Sequence, residues 1–196
     1  MSAIDKAEVF LEILKDQARW ASVCTEPGMV AFMASKVMSY VTEPVLSLEV
    51  HLSGGILKNA LSAGLPNTTR KGPDVAAAAG SVARCPEKGL TILGELNEEQ
   101  LAQALDLVDS GRVAVKWDAG EEGVYGKCIL RTANHTAEVV VSGSHTGVTS
   151  LTLDGEKVFE ASGDAEQVTG LTAFKEWTFD NLIDTVLALD VSKLMW

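Results

Sequence analysis

The run Val23-Cys24-Thr25-Glu26-Pro27 is where chemistry in this sequence is first to be sought. Pro27 suits the first turn of a helix, because the N–H it lacks would have no partner there anyway. Cys24 then falls just ahead of a helix N-terminus, beside unpaired N–H donors and the positive end of the helix dipole. Such a setting favours thiolate over thiol, and thiolate is the form that attacks carbon or binds a metal. A free cysteine is as readily a small buried hydrophobe. Placement alone leaves both uses open.

A second segment, Ser53-Gly54-Gly55-Ile56-Leu57-Lys58-Asn59, carries glycines after a strand pattern and before a helix pattern. Backbone N–H groups in such a turn can cradle a carboxylate or phosphate, with Lys58 or Arg70 as its counter-charge. The spacing is not that of a P-loop, and a plain strand-to-helix turn is the favoured account of the glycines. The third segment is Gly143-Ser144-His145-Thr146-Gly147, where His145 can donate to a carboxylate or carry a proton. No serine-nucleophile elbow and no paired-carboxylate spacing is visible.

The elements that must position these groups follow from periodicity. Ile4 to Trp20 has the spacing of an amphipathic helix, and Met29 to Tyr40 is apolar all round, which predicts a buried one. Val45 to Leu52 alternates as a strand, and Ile56 to Ala63 reads as a short helix. Gly64 to Pro73 is a polar loop, Asp74 is placed as the cap of a helix over Val75–Ala83, and Asn97 with Gln100 has the form of a capping box. From Arg112 the period drops to two, through Val113–Trp117, Val124–Arg131, Ala137–Ser142, Val148–Leu153 and Lys157–Ala161. Asp154-Gly155 is a hairpin signal, and Leu171–Leu189 returns to helical spacing. The expectation is one α+β domain over residues 1–196: a mixed, largely antiparallel sheet with helices on one face.

A net charge of −11 opposes binding to nucleic acid or to an anionic membrane. No apolar run of about 18 or more residues predicts a membrane span, and the charged N-terminal stretch does not read as a signal peptide. A cytoplasmic location is expected. The cysteines, Cys24, Cys85 and Cys128, are odd in number and widely spaced, which argues against a disulfide framework and a closed zinc site. The oligomeric state is left open, a homo-oligomer included.

Four pieces in order resemble the iron–sulfur L-cysteine desulfidase family, which also takes in relatives of the serine dehydratase α chain. They are Cys24-Thr25-Glu26-Pro27; Leu57-Lys58-Asn59 with Gly64 and Pro66; Val113-Ala114-Val115-Lys116; and Gly143-Ser144-His145-Thr146. The resemblance implies a lyase in which three cysteines hold a [4Fe–4S] cluster and the open iron acts as a Lewis acid. L-cysteine would become pyruvate, ammonia and sulfide; with L-serine, water leaves instead. It implies that Cys24 is a cluster ligand with Thr25 and Glu26 beside it. His145 and Lys58 would be catalytic, and Asn59, Ser144 and Thr146 would bind a small amino-acid substrate.

The sequence departs from that family in having Val23 where glycine precedes the ligand cysteine. It also lacks the helical C-terminal half that carries the other two ligands, and Cys85 and Cys128 match neither. One thiolate cannot retain a cluster. This chain is therefore expected to be inactive alone and without a cluster, and to need a C-terminal helical domain or a partner subunit, as a domain piece or as half of a split enzyme. The apolar run Leu189–Trp196 is consistent with such a docking boundary. The alternative function is a non-catalytic amino-acid-binding or regulatory module.

Overall fold

Among the described residues, alternation and helical periodicity resolve into six α-helices longer than two turns and six strands. The computed structural model describes residues 3–18, 20–161 and 177–194. The chain divides into two units, Trp20–Ala161 and a smaller one drawn from Met1–Arg19 and Ser162–Trp196. In the smaller unit, helix α1 (Ala3–Gln17) meets helix α6 (Phe179–Leu187), with Lys6 Nζ donating to Asn181 Oδ1 at 2.7 Å. The expected helix over Leu171–Leu189 is thus present in its second part, while residues 171–176, and Met195 and Trp196, lie outside the described residues. Trp20, placed on the apolar face of α1 by its spacing, follows the helix and is 78% exposed.

The larger unit is an α+β layer. Its elements are α2 (Thr25–Met38), β1 (Ser47–Leu52), α3 (Gly54–Ser62), α4 (Pro73–Ala83), a 3-10 segment (Pro86–Gly94), α5 (Glu98–Asp109) and five further strands. These are β2 (Val113–Trp117), β3 (Tyr125–Arg131), β4 (Thr136–Ser142), β5 (Val148–Leu153) and β6 (Glu156–Glu160). The sheet order is β2-β1-β3-β4-β5-β6, with β1 and β2 parallel and every other pair antiparallel. The mixed, largely antiparallel sheet expected from the sequence is therefore present.

Strand alternation decides which side is buried. Leu48, Val50, Leu52, Cys128, Leu130, Ala137, Val139, Val141 and Leu151 point to one side and are fully buried there, against α2 and α4. α2 has no polar stripe and is buried from Pro27 to Met38 except at Lys36, as its all-round apolar sequence requires. It meets α4 through small residues: Ala76 to Ala79 are buried, and Gly80 lies against the backbone of Ala31.

The helix caps expected from the sequence are found where they were placed, with one exception. Asn97 Oδ1 accepts from Gln100 N at 2.9 Å and Gln100 Oε1 accepts from Asn97 N at 3.1 Å, the reciprocal capping box. Asn97→Ala is expected to lower stability by about 1 kcal/mol in urea unfolding. The exception is α4, whose cap is Gly72 at φ +113° rather than Asp74; Pro73 takes the first helical position and Asp74 falls inside the first turn. Asp154 and Gly155 both take positive φ, 54° and 84°, as a two-residue hairpin turn needs. The 3-10 segment carries no strong period in the sequence and turns sharply at Gly89, at φ 52° and ψ −125°.

Candidate functional site

Two of the chemically suggestive segments meet at one end of the sheet. β1 ends at Leu52 and α3 begins two residues later; Ser53 N donates to Tyr125 O at 3.2 Å and Ser53 Oγ to Gly123 O at 2.7 Å. Gly143, just past β4, donates to Val124 O at 3.0 Å. α2 starts at the same end, because a Cβ on Gly126 would touch the methyls of Met29 and Met33.

Cys24 is the N-cap residue of α2, as the position of Pro27 predicts. Its side chain makes no capping bond; instead Sγ donates to Glu26 Oε2 at 2.7 Å. Thr25 Oγ1 donates to the same oxygen at 3.3 Å, and Asn59 Nδ2 of α3 donates to Glu26 Oε1 at 2.8 Å. Cys24, Thr25, Glu26 and Asn59 thus form one hydrogen-bonded cluster joining two helices. Cys24 is exposed and Glu26 half-buried.

This geometry reverses the expected protonation of Cys24. The carboxylate of Glu26 holds the thiol proton, and with partial burial it raises the thiol above its ordinary range, against the backbone bonds that favour thiolate. For Glu26, desolvation pushes the carboxyl up. The hydrogen bonds from Cys24, Asn59 and Thr25, together with its own backbone N–H, outweigh it and hold the group below its usual range. The resting pair is a protonated thiol against an ionised carboxylate.

The remaining candidates are not drawn into this cluster. Lys58 is exposed on α3, and among the described residues it has no ion pair. Arg70, the other proposed counter-charge, is paired with Asp109 at 2.9 Å. Ser144 is exposed, and its carbonyl closes the β4–β5 turn by accepting from Gly147 N at 3.1 Å. His145 is half-buried in that turn, and Thr146 approaches Gly89 of the 3-10 segment. That segment in turn lies against the start of α2, where Leu90 O accepts from Ser22 N at 3.3 Å and Leu90 borders Gly28.

The residues do not fit an iron–sulfur cluster. Among the described residues, no group of three or more His, Cys, Asp or Glu side chains is arranged to hold a metal ion. Cys128 is fully buried in β3, and burial, with Glu138 nearby, pushes its thiol far up. Cys85 is half-buried and is likewise raised by desolvation and by Glu87 and Glu95. Both environments oppose the thiolate that cluster ligation requires.

A polar group the sequence reading passed over lies on the open face of the sheet. Glu49 Oε1 is 2.5 Å from His51 Nε2, and Glu49 Oε2 is 2.8 Å from Lys116 Nζ. The signal was available in the Glu-x-His alternation of β1, which puts both side chains on one face. What it did not contain was the neighbouring strand, β2, which supplies the lysine.

No family model matches the sequence. A UPF0597 protein of Aliivibrio salmonicida is 35% identical over 150 residues, covering 76% of this chain and 35% of that protein. One from a Shewanella species is 33% identical over 161 residues, covering 82% and 38%, and one from Latilactobacillus sakei is 34% identical over 179 residues, covering 87% and 42%. The chain is similar to UPF0597 proteins. It spans about two-fifths of the length of these curated relatives. The finding corrects the family expectation: the relatives bear the name of a family distinct from the iron–sulfur desulfidases and serine dehydratases. Short ordered motifs such as Cys-Thr-Glu-Pro carried that expectation, and they are too short to separate one family from another. Among the described residues, no helix is long and apolar enough to cross a membrane.

Proposed function

We propose that this chain is the part of a longer amino-acid lyase that supplies a thiol–carboxylate acid–base pair. Cys24 is the acid, Glu26 the base, and Asn59 and Thr25 are the groups that position Glu26. The observation that carries the reading is the 2.7 Å bond from Cys24 Sγ to a Glu26 carboxylate fixed on its other oxygen by Asn59 at 2.8 Å. β-Elimination needs one group to take the Cα proton and one to protonate the departing substituent. Environments that push two neighbouring groups apart in pKa assign those roles. Here they favour an ionised Glu26 and a protonated Cys24.

On L-cysteine, Glu26 would take the Cα proton as the Cβ–S bond breaks, and Cys24 would protonate the leaving sulfide. Aminoacrylate would then tautomerise to the imine and hydrolyse to pyruvate and ammonia; on L-serine, water would leave in place of sulfide. The proton gained by Glu26 returns to Cys24 along their hydrogen bond. In this reading the rest of the relatives' length contributes the groups that acidify Cα–H.

The test has two parts. Alkylation of Cys24 by iodoacetamide, followed residue by residue by mass spectrometry, is expected to run several-fold faster at about pH 8 in Glu26→Gln, because the thiol loses the partner that holds its proton. In a complete protein containing this segment, pyruvate release from L-cysteine or L-serine is expected to fall at least 100-fold in both Cys24→Ser and Glu26→Gln. Unchanged pyruvate release in either variant defeats the lyase reading. Binding of either amino acid without turnover, retained in Cys24→Ser, would favour a non-catalytic amino-acid-binding module.

A further inference from the structure

A cleft of the larger unit lies away from Cys24, at the other end of α2. It has a volume of about 530 Å³ and is walled by Met38 of α2, the end of α4, the middle of α5 and the segment entering β1. Fourteen residues of helix separate the two ends of α2, roughly 20 Å. The volume is within the range of small-molecule sites, roughly 300–1,000 Å³.

Two guanidinium groups border this cleft, from Arg84 and Arg112. Each is tethered by one bond to a backbone carbonyl, Arg84 Nη1 to Val41 O at 3.2 Å and Arg112 Nη1 to Val45 O at 3.3 Å. A guanidinium has five N–H donors, so about four on each remain for another acceptor. Among the described residues, the ion pairs of lysine and arginine engage Arg70, Lys88, Lys116 and Lys157, and none involves Arg84 or Arg112. In a chain of net charge −11, two cations on one cleft, neither ion-paired among the described residues, are a selective arrangement. Arg84 is also held at φ 51°, a left-handed conformation that a non-glycine residue adopts at a cost.

The same cleft also carries the complementary chemistry. Asp106 and Gln103, three residues apart on α5, line the same cleft, and Asp106 forms no ion pair with either arginine among the described residues. Met38 and Leu107 supply apolar surface to it. We infer that the cleft bordered by Arg84, Arg112 and Asp106 binds a free α-amino acid with an apolar side chain. The arginines take its carboxylate, Asp106 its ammonium, and Met38 and Leu107 its side chain. The inference does not depend on the Cys24–Glu26 reading, since the residues, the helix ends and the charges involved are different.

Amide NMR of the 196-residue chain titrated with L-leucine, 4-methylpentanoate, isoamylamine and inorganic phosphate separates the possibilities. L-leucine is expected to shift the amides of Val41, Val45 and Arg112 at sub-millimolar to millimolar concentration. The analogues lacking the ammonium or the carboxylate should bind about ten-fold more weakly. Arg84→Gln and Arg112→Gln should each weaken leucine about ten-fold, and Asp106→Asn should weaken leucine but not 4-methylpentanoate. Arg84→Lys, which keeps a charge, checks that any loss does not come from misfolding, and Cys24→Ser should leave leucine binding unchanged. No shifts up to about 10 mM, phosphate binding as tightly as leucine, or leucine binding indifferent to both arginine variants would each overturn the inference.

Discussion

Gly80→Ala is expected to destabilise the larger unit by at least about 2 kcal/mol in urea unfolding, although alanine is the better helix former by about 1 kcal/mol. A Cβ built on Gly80 would stand 2.0 Å from Ala31 O and 2.6 Å from Ala31 C and Cα, where real contacts under 3.0 Å essentially do not occur. All three atoms are backbone, so no rotamer change relieves the overlap and α2 and α4 must move apart. Gly126→Ala is the control. Its Cβ would also be crowded, at 2.7 Å from Met33 Cε and 2.8 Å from Met29 Cε, but these are the ends of flexible side chains. That variant should cost about 1 kcal/mol or less. Equal losses in the two variants would show that backbone proximity is not what limits the α2–α4 contact.

The second large effect is an acid-dependent loss of stability centred on Glu49. The Lys116 ammonium, 2.8 Å away, and then His51 hold this carboxyl at about 2, against an ordinary value of 4.5. The folded protein therefore binds fewer protons than the unfolded chain between those values. The resulting stabilisation is fully present above pH 4.5 and disappears as the pH falls toward 2. Glu49 is 22% exposed, and with solvent screening allowed for, the contribution is about 2 kcal/mol. In Lys116→Met the carboxyl resonance of Glu49 should titrate at clearly higher pH, and the stability gained between about pH 3 and pH 6 should shrink. A Glu49 titration identical in the two proteins would remove Lys116 as the cause.

The β region was legible because strands that bury one face must alternate, and Ser47–Leu52 and Thr136–Ser142 do so, burying every second residue. The capping box of α5 was legible because both of its halves are local in sequence. What stayed hidden depends on partners distant in the chain. β1 and β2 pair in parallel across a crossover containing three helices, and nothing in either strand declares that neighbour. Cys24 was located correctly at a helix cap, yet its protonation was misjudged, because the helix dipole could be inferred from Pro27 while the rotamer of Glu26 and the arrival of Asn59 could not. The Arg84–Arg112 cleft escaped for the same reason. Its two cations stand 28 positions apart and share no motif.

The parallel partnership of β1 and β2 also constrains the order in which the molecule assembles. β3 to β6 form a meander whose neighbours are joined by short turns, so it can zip from local encounters. β1 lies between β2 and β3, yet the nearer of these begins at Val113, some sixty positions after β1 ends. Until those residues find it, β1 exposes two unsatisfied edges and the apolar row Leu48, Val50 and Leu52. The slow passage in folding is therefore expected to be the insertion of β1 into the sheet, with loop-closure entropy as its barrier. The end of β1, where α3 begins, is then among the last parts of the sheet to become fixed.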